Sequence, residues 1–103
     1  MRESQIETYL RERVEAIGGI CYKFMSPGRK NVPDRLVLLP GAIVGYYKDK
    51  EATTARPVFI ELKAPGKKPT PGQLREHKRL RCMGYSVFVI DSKEGVDLFM
   101  ASL

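Results

Sequence analysis

The sequence predicts an α/β fold in which a small mixed β-sheet is flanked by helices, in the order αβββαβα. Three observations predict it: an amphipathic stretch that ends at a pair of glycines, several short apolar runs bounded by proline and glycine, and a basic helical stretch before the last of those runs. A helix in that place is the crossover that joins two parallel strands of one sheet. Residues 1–103, of which 43% are hydrophobic, are expected to form one domain around a single core.

The first half of the chain is expected to form one helix and three strands. Apolar residues recur at helical spacing over residues 3–17, and two glycines follow directly. Short apolar runs then predict strands at 20–25, 34–39 and 42–47. We expect the last two of these strands to pair as a hairpin, since only a proline and a glycine separate them.

The second half of the chain is expected to begin with a loop and to continue with two strands and two helices. Residues 48–56 are polar and show no periodicity, which predicts a mobile loop. We expect the two strands that flank the basic helix to pair in parallel with each other. The predicted elements are a strand at 58–63, a helix at 71–83, a strand at 85–90 and a helix at 93–100.

The charge of the chain indicates a polyanionic partner. Lysine and arginine number 18 against 12 aspartates and glutamates, which gives a formal net charge of +6. A small basic domain attracts polyanions, so nucleic acid is the first partner to consider. No apolar run is long enough for a membrane span and no leader pattern is present, which favours a cytoplasmic protein with no membrane partner.

The cysteines and the histidine do not indicate a structural zinc site. Cys21 and Cys82 lie far apart in the sequence, with no CxxC pair and no cysteine–histidine cluster. We therefore expect two buried, reduced thiols. His77 is the only histidine, and because it lies in a strongly charged helix we expect it to be exposed rather than a ligand or a general base.

Two motifs place charged residues where the predicted strands should be apolar. Glu61 and Lys63 are two positions apart on one strand, so their side chains leave by the same face, and Asp34 opens a neighbouring strand. Burying such groups costs free energy unless they meet a partner or a metal. Two carboxylates and the main-chain carbonyl of Leu62 are the oxygen donors that Mg²⁺ or Mn²⁺ prefers. Lys63 would lie beside them, where it would position an attacking water or stabilise a phosphorane-like transition state.

A structural interpretation of the same residues stays open. In it, Glu61 and Lys63 form an ion pair on an edge strand and Asp34 is a turn residue. The pattern Glu-x-Lys alone carries little information, since pairs of charged residues at this spacing are common in chains of ordinary composition. The apolar strand around the pair and the Pro-Asp sequence before the neighbouring strand favour the metal site.

The sequence resembles the VRR-NUC domains, which are small virus-type replication-repair nucleases of the PD-(D/E)xK superfamily. The resemblance implies a single VRR-NUC-like nuclease domain with a restriction-endonuclease-like core and Mg²⁺-dependent hydrolysis of phosphodiester bonds. It also implies an active site of Asp34, Glu61 and Lys63. One departure is Asn31, which stands where many relatives have glycine, but asparagine tolerates a left-handed backbone. The residues that carry the resemblance are Glu7, Lys23, Phe24, residues 26–29, residues 32–35, residues 61–63 and Gln73.

Two further site residues are implied only by resemblance. In junction resolvases of the archaeal type, a catalytic glutamate stands eleven residues before the glycine that ends its helix, which is the separation of Glu7 from Gly18. Glu3 is the alternative, although it fits better a solvated acid that complements the helix dipole. The family counterpart of Gln73 lies near the metal site, where it would orient Lys63 or touch the phosphate. A solvated residue at the start of a helix is the alternative for Gln73.

Basic and polar side chains around these motifs are expected to hold the phosphate backbone. We expect a metal-dependent DNA endonuclease that acts as a homodimer on branched DNA such as Holliday junctions, encoded by a phage or a bacterium. Two alternatives stay open: a non-catalytic DNA-binding module on the same fold, and a nuclease for RNA or single-stranded DNA. The predicted nucleic-acid contacts are Lys23, Ser26, Arg29, Lys30, Arg35, Lys67, Lys68 and Lys78.

Overall fold

The computed structural model describes the backbone of residues 1–103 and all side chains except those of Ile43, Tyr47 and Ala52. Helices and strands begin and end within a few residues of most of the predicted positions. The elements are α1 (Glu3–Ala16), β1 (Ile20–Lys23), β2 (Arg35–Leu38), β3 (Ile43–Tyr47), β4 (Lys50–Thr53), β5 (Pro57–Leu62), α2 (Pro71–Cys82), β6 (Ser86–Ile90) and α3 (Lys93–Ala101).

Four strands form a mixed sheet in the order β1-β2-β5-β6. β2 is antiparallel to both of its neighbours, whereas β5 and β6 are parallel, with Val58 opposite Ser86 and Leu62 opposite Ile90. Helix α2 is the crossover between the two parallel strands, as the sequence predicts. The strands of this sheet and the three helices follow the chain in the predicted order αβββαβα. The strand predicted at 42–47 is additional to that order and forms β3, outside this sheet.

The remaining two strands form a separate antiparallel ribbon, β3–β4. The predicted hairpin between 34–39 and 42–47 is therefore wrong, because β2 pairs with β1 and β5 and buries Val37 completely between them. The predicted loop at 48–56 is also wrong, since it contains β4. Lys48 and Asp49 have positive φ angles of 47° and 61°, the backbone of the two-residue turns that join antiparallel strands.

The core lies between the sheet and the pair of helices α1 and α3. Ile6, Leu10 and Val14 of α1 are fully buried at the predicted helical spacing. They pack with alternate residues of β5, including Ile60 and Leu62, and with residues of α3. Because side chains alternate across a strand, Phe59 and Glu61 leave β5 by the opposite face, where Glu61 meets α2.

The cysteines differ from the expectation of two buried thiols. Cys21 is half-buried and Cys82, at the end of α2, is exposed. Burial raises the pKa of the Cys21 thiol, so this side chain packs as a neutral group. No helix in the described chain is long and apolar enough to cross a membrane.

Candidate active site

Asp34 and Glu61 meet at one end of the central sheet. Arg35 lies opposite Ile60 in the antiparallel register, so the residue before Arg35 stands opposite the residue after Ile60. Asp34 Oδ1 accepts a hydrogen bond from the main-chain N–H of Leu62 at 3.1 Å. The buried Pro33 directly precedes Asp34. Two carboxyl groups from neighbouring strands are therefore held against each other.

Burial and mutual proximity change the pKa values of the two carboxyl groups. The pKa of Glu61 is raised to about 7, mainly by burial and also by the charge of Asp34, while the charge of Lys63 opposes the rise. Burial also raises the pKa of Asp34, against the opposing effects of the Leu62 N–H and Arg35. The proximity of the two carboxyl groups lowers the pKa of Asp34 and raises that of Glu61. The pair therefore favours a proton on Glu61 over one on Asp34.

His77 is buried against Glu61, which makes the prediction of an exposed histidine wrong. Its side chain is 0% exposed and its Nε2 lies 3.2 Å from Glu61 Oε1. Burial, together with the charges of Arg81 and Lys63, lowers the pKa of His77, which favours the neutral ring, and its Nε2 shares a hydrogen bond with Glu61 Oε1. The other ring nitrogen, Nδ1, has no hydrogen-bond partner among the described residues.

The inner face of α2 is polar, which explains why the sequence does not reveal His77. Leu74, an apolar residue of α2, is 51% exposed, while Glu76 and His77 are buried. The spacing of apolar residues in a sequence does not show whether the polar residues of a helix are buried or exposed. One signal for a buried His77 was available in the sequence. Gln73, His77 and Leu80 recur at a spacing of one helical turn, which places them on the same face of α2.

Lys63 follows β5 directly and is half-buried. Its main-chain N–H donates to the carbonyl oxygen of Ile90 at 2.9 Å, which continues the parallel pairing by one residue. The ammonium charge lowers the pKa of both Glu61 and His77. Lys63 therefore stands within electrostatic reach of Glu61.

Glu3 is the helical carboxylate whose charge reaches the pair, whereas Glu7 contacts arginines. The charge of Glu3 raises the pKa of both Asp34 and Glu61. Glu7 Oε1 instead lies 3.7 Å from Arg11 Nε and 3.8 Å from Arg35 Nε. Among the described side chains, no three histidines, cysteines, aspartates or glutamates stand close enough together to hold a metal ion on their own.

Gln73 is part of a capping box at the start of α2. Its main-chain N–H donates to Thr70 Oγ1 at 3.2 Å, and its side-chain Oε1 accepts from the Thr70 N–H at 2.9 Å. These bonds satisfy two main-chain donors at the end of the helix. The amide oxygen, which could have accepted a hydrogen bond from Lys63, is thus already engaged, and the side-chain NH₂ group remains as a donor for a phosphate oxygen.

The predicted nucleic-acid contacts fall into two groups. Two arginines are tied to the protein: Arg29 Nε lies 2.6 and 3.0 Å from the two oxygens of Glu76, and the half-buried Arg35 donates to the Asp34 carbonyl oxygen at 2.8 Å. Ser26 is half-buried in the loop after β1. The others are exposed to solvent, namely Lys23, Lys30, Lys67, Lys68 and Lys78.

Comparison with known proteins identifies the family. No family model matches the sequence. A protein of Acyrthosiphon pisum secondary endosymbiont phage 1, named "Putative nuclease p44", is 50% identical over 94 residues, which span 91% of this chain and 87% of that protein. A solved structure named "VRR_NUC domain" matches 96% of this chain and 94% of its own length, with 37% identity and a TM-score of 0.75. The chain belongs to the VRR-NUC nuclease family.

The sheet, the flanking helices and the element order of this VRR-NUC domain are those that the resemblance implies. Asn31 has a φ angle of 68°, so asparagine does adopt the left-handed backbone there. The loop before Asp34 therefore keeps the shape that glycine would allow.

Proposed function

We propose that this VRR-NUC domain is a divalent-metal-dependent endonuclease that hydrolyses phosphodiester bonds in DNA. One observation carries the proposal: two carboxyl groups, Asp34 and Glu61, are held against each other at a sheet end with a lysine beside them. Burying two carboxylates without a partner at such a place costs free energy, which a bound cation would offset. A phage protein named as a nuclease, with half of its aligned residues identical, supports the same conclusion.

The donor set fits Mg²⁺, with Mn²⁺ as a substitute. Two adjacent carboxyl groups hold a proton near neutral pH because their negative charges repel each other. A divalent cation can bind the pair in place of that proton. Asp34, Glu61 and the main-chain carbonyl of Leu62 would hold the ion, and a carboxylate of α1 would complete the negative charge around it. When bound, the ion supplies positive charge that stabilises the charge developing on the phosphate oxygens.

The protein's own residues have separate roles in this proposal. His77 donates to Glu61 Oε1 and so fixes the carboxyl group in one orientation. Lys63 directs its ammonium group at the attacking water or at a phosphate oxygen, since its charge already reaches the pair. Water adds to phosphorus, one P–O ester bond breaks, and the leaving oxygen takes up a proton.

Cleavage by matched variants tests the proposal. The chain, freed of metal by a chelator and supplied with Mg²⁺, should nick labelled DNA, and Asp34→Asn and Lys63→Ala should each lower the rate by about 100-fold or more. Asp49→Asn and Lys50→Ala are the controls, since these exposed residues lie in the β3–β4 ribbon, which joins the sheet at the end away from the site. Cleavage that persists without metal, or an active Lys63→Ala, would contradict the mechanism. Binding without turnover would instead identify a DNA-binding module.

Within this function, we propose branched DNA such as a Holliday junction, rather than plain duplex, as the preferred substrate. We also propose that the active form is a homodimer rather than a monomer. The support is the resemblance to junction resolvases, together with symmetry: one domain has one candidate site, and paired cuts on a four-way junction need two. Cleavage of a junction, a duplex, single-stranded DNA and RNA should be compared in one gel, with the mass measured by light scattering. A monomer in solution, or faster cleavage of single strands or RNA, would overturn this choice of substrate.

A further inference from the structure

A cationic cleft lies between the loop that precedes β2 and helix α2. Its volume is about 330 Å³. Arg29, Lys30 and Asn31 of the loop form one wall, and the helix forms the other. The helical residues that line it are Gly72, Arg75, Glu76 and Arg79.

Contacts within the protein hold the two walls of this cleft together. Glu76 is 7% exposed, and both of its oxygens accept hydrogen bonds from Arg29 Nε, at 2.6 and 3.0 Å. The Asn31 side chain packs directly on Gly72, where an added Cβ atom would stand 2.7 Å from Asn31 Nδ2. The cleft is therefore a fixed feature of the fold.

The positive charge of the cleft is only partly compensated. Its one carboxylate, Glu76, is engaged by Arg29. Among the described side chains, Lys30, Arg75 and Arg79 have no ion-pair or hydrogen-bond partner. Arg75 and Arg79 are one helical turn apart, a spacing at which like charges repel. An anion in the cleft would relieve that repulsion.

Both walls lead directly into the candidate active site. The loop wall continues from Asn31 through Val32 and the buried Pro33 to Asp34. On the helix wall, Glu76 is followed by His77, which contacts Glu61. Consecutive residues of a helix point about 100° apart. Glu76 therefore faces the cleft and His77 faces the carboxyl pair from the same turn of α2.

We propose that this cleft is a subsite for the phosphodiester backbone of the strand being cut, next to the scissile phosphate. The proposal rests on the nuclease function proposed above and adds that the substrate must extend past the cut bond. Arg29 fixes the walls, and Lys30, Arg75 and Arg79 contact phosphate. Such contacts set position and affinity without reading bases.

Affinity at several salt concentrations tests the subsite. Lys30→Gln combined with Arg79→Gln removes one cation from each wall, and Lys50→Gln combined with Arg56→Gln removes two exposed cations at the other end of the sheet as a control. With Ca²⁺ in place of Mg²⁺, fluorescence anisotropy with a labelled single-stranded oligonucleotide should show a loss of about tenfold or more for the cleft variant. The slope of log affinity against log salt should fall by roughly 1.4, or about 0.7 for each of the two cations removed. The control should change affinity less than twofold, and both variants should melt like the wild type.

A length comparison separates failure of the subsite from failure of the nuclease function. For the wild type, kcat/KM for a long strand should exceed that for a dinucleotide, and the cleft variant should lose most of this preference while the control keeps it. If the wild type cleaves DNA but the two variants bind alike, the subsite is wrong and the nuclease function stands. If nothing is cleaved, the nuclease function fails and the affinities still test the cleft. Inorganic pyrophosphate that binds the cleft without displacing the oligonucleotide would also overturn the subsite.

Discussion

At the scale of single residues, the fully buried His77 is the hydrogen-bond partner of Glu61. His77→Ala would leave a buried carboxyl group without its donor and open a cavity, so we expect the free energy of unfolding to fall by about 2–3 kcal/mol. His77→Gln keeps an N–H donor and should recover part of the loss. Urea denaturation of the metal-free protein measures both. An alanine variant as stable as the wild type would show that Glu61 does not need this hydrogen bond.

The raised pKa of Glu61 predicts how the stability of the metal-free protein depends on pH. In the folded protein the pKa is raised from 4.5 to about 7, so the folded state holds a proton that the unfolded state has lost. The contribution of this group is therefore fully present below pH 4.5 and is lost as the pH rises through about 7, a change of roughly 3 kcal/mol.

Glu61→Gln should remove this part of the pH dependence, because glutamine keeps the polar contacts without titrating. The exposed Glu51→Gln is the control and should keep the wild-type profile. Denaturation midpoints measured from pH 4 to pH 8 check both variants. Equal slopes for Glu61→Gln and the wild type would mean that another group carries the dependence.

At the scale of elements, the β3–β4 ribbon is an addition to the sheet rather than part of its support. The two strands pair with each other, and in the described chain neither packs extensively against another element. The Thr54 N–H donates to the Ala42 carbonyl oxygen at 2.9 Å, so the two ends of the ribbon lie close together. Replacing residues 43–53 with a two-residue turn should therefore change the free energy of unfolding by less than about 1 kcal/mol. Leu10→Ala, in the core, should cost about 2–5 kcal/mol in the same assay.

The elements also show which parts of the fold the sequence can predict. Helix α1 is predictable because Ile6, Leu10 and Val14 recur at helical spacing, and β5 because it is an apolar run interrupted only by Glu61. Strand β4 is not, since residues 50–53 have no alternation of apolar and polar residues and the turn before it lacks the usual glycine. The burial of His77 could not be predicted for a related reason. The spacing of apolar residues indicates which face of a helix is buried only where the buried residues are apolar, and the inner face of α2 is polar.

At the scale of the whole molecule, the carboxyl pair couples cation binding to folding. Asp34 and Glu61 come from strands that only the folded sheet brings together, so a cation that needs both binds the folded state alone. Mg²⁺ at ten times its dissociation constant should stabilise the protein by about 1.4 kcal/mol. For a domain of 103 residues this is a rise in Tm of roughly 6–11 °C. Asp34→Asn should abolish the rise and Asp49→Asn should keep it. Potassium chloride at the same ionic strength should not reproduce it, and an equal shift in that salt would mean that general screening of the +6 charge stabilises the fold.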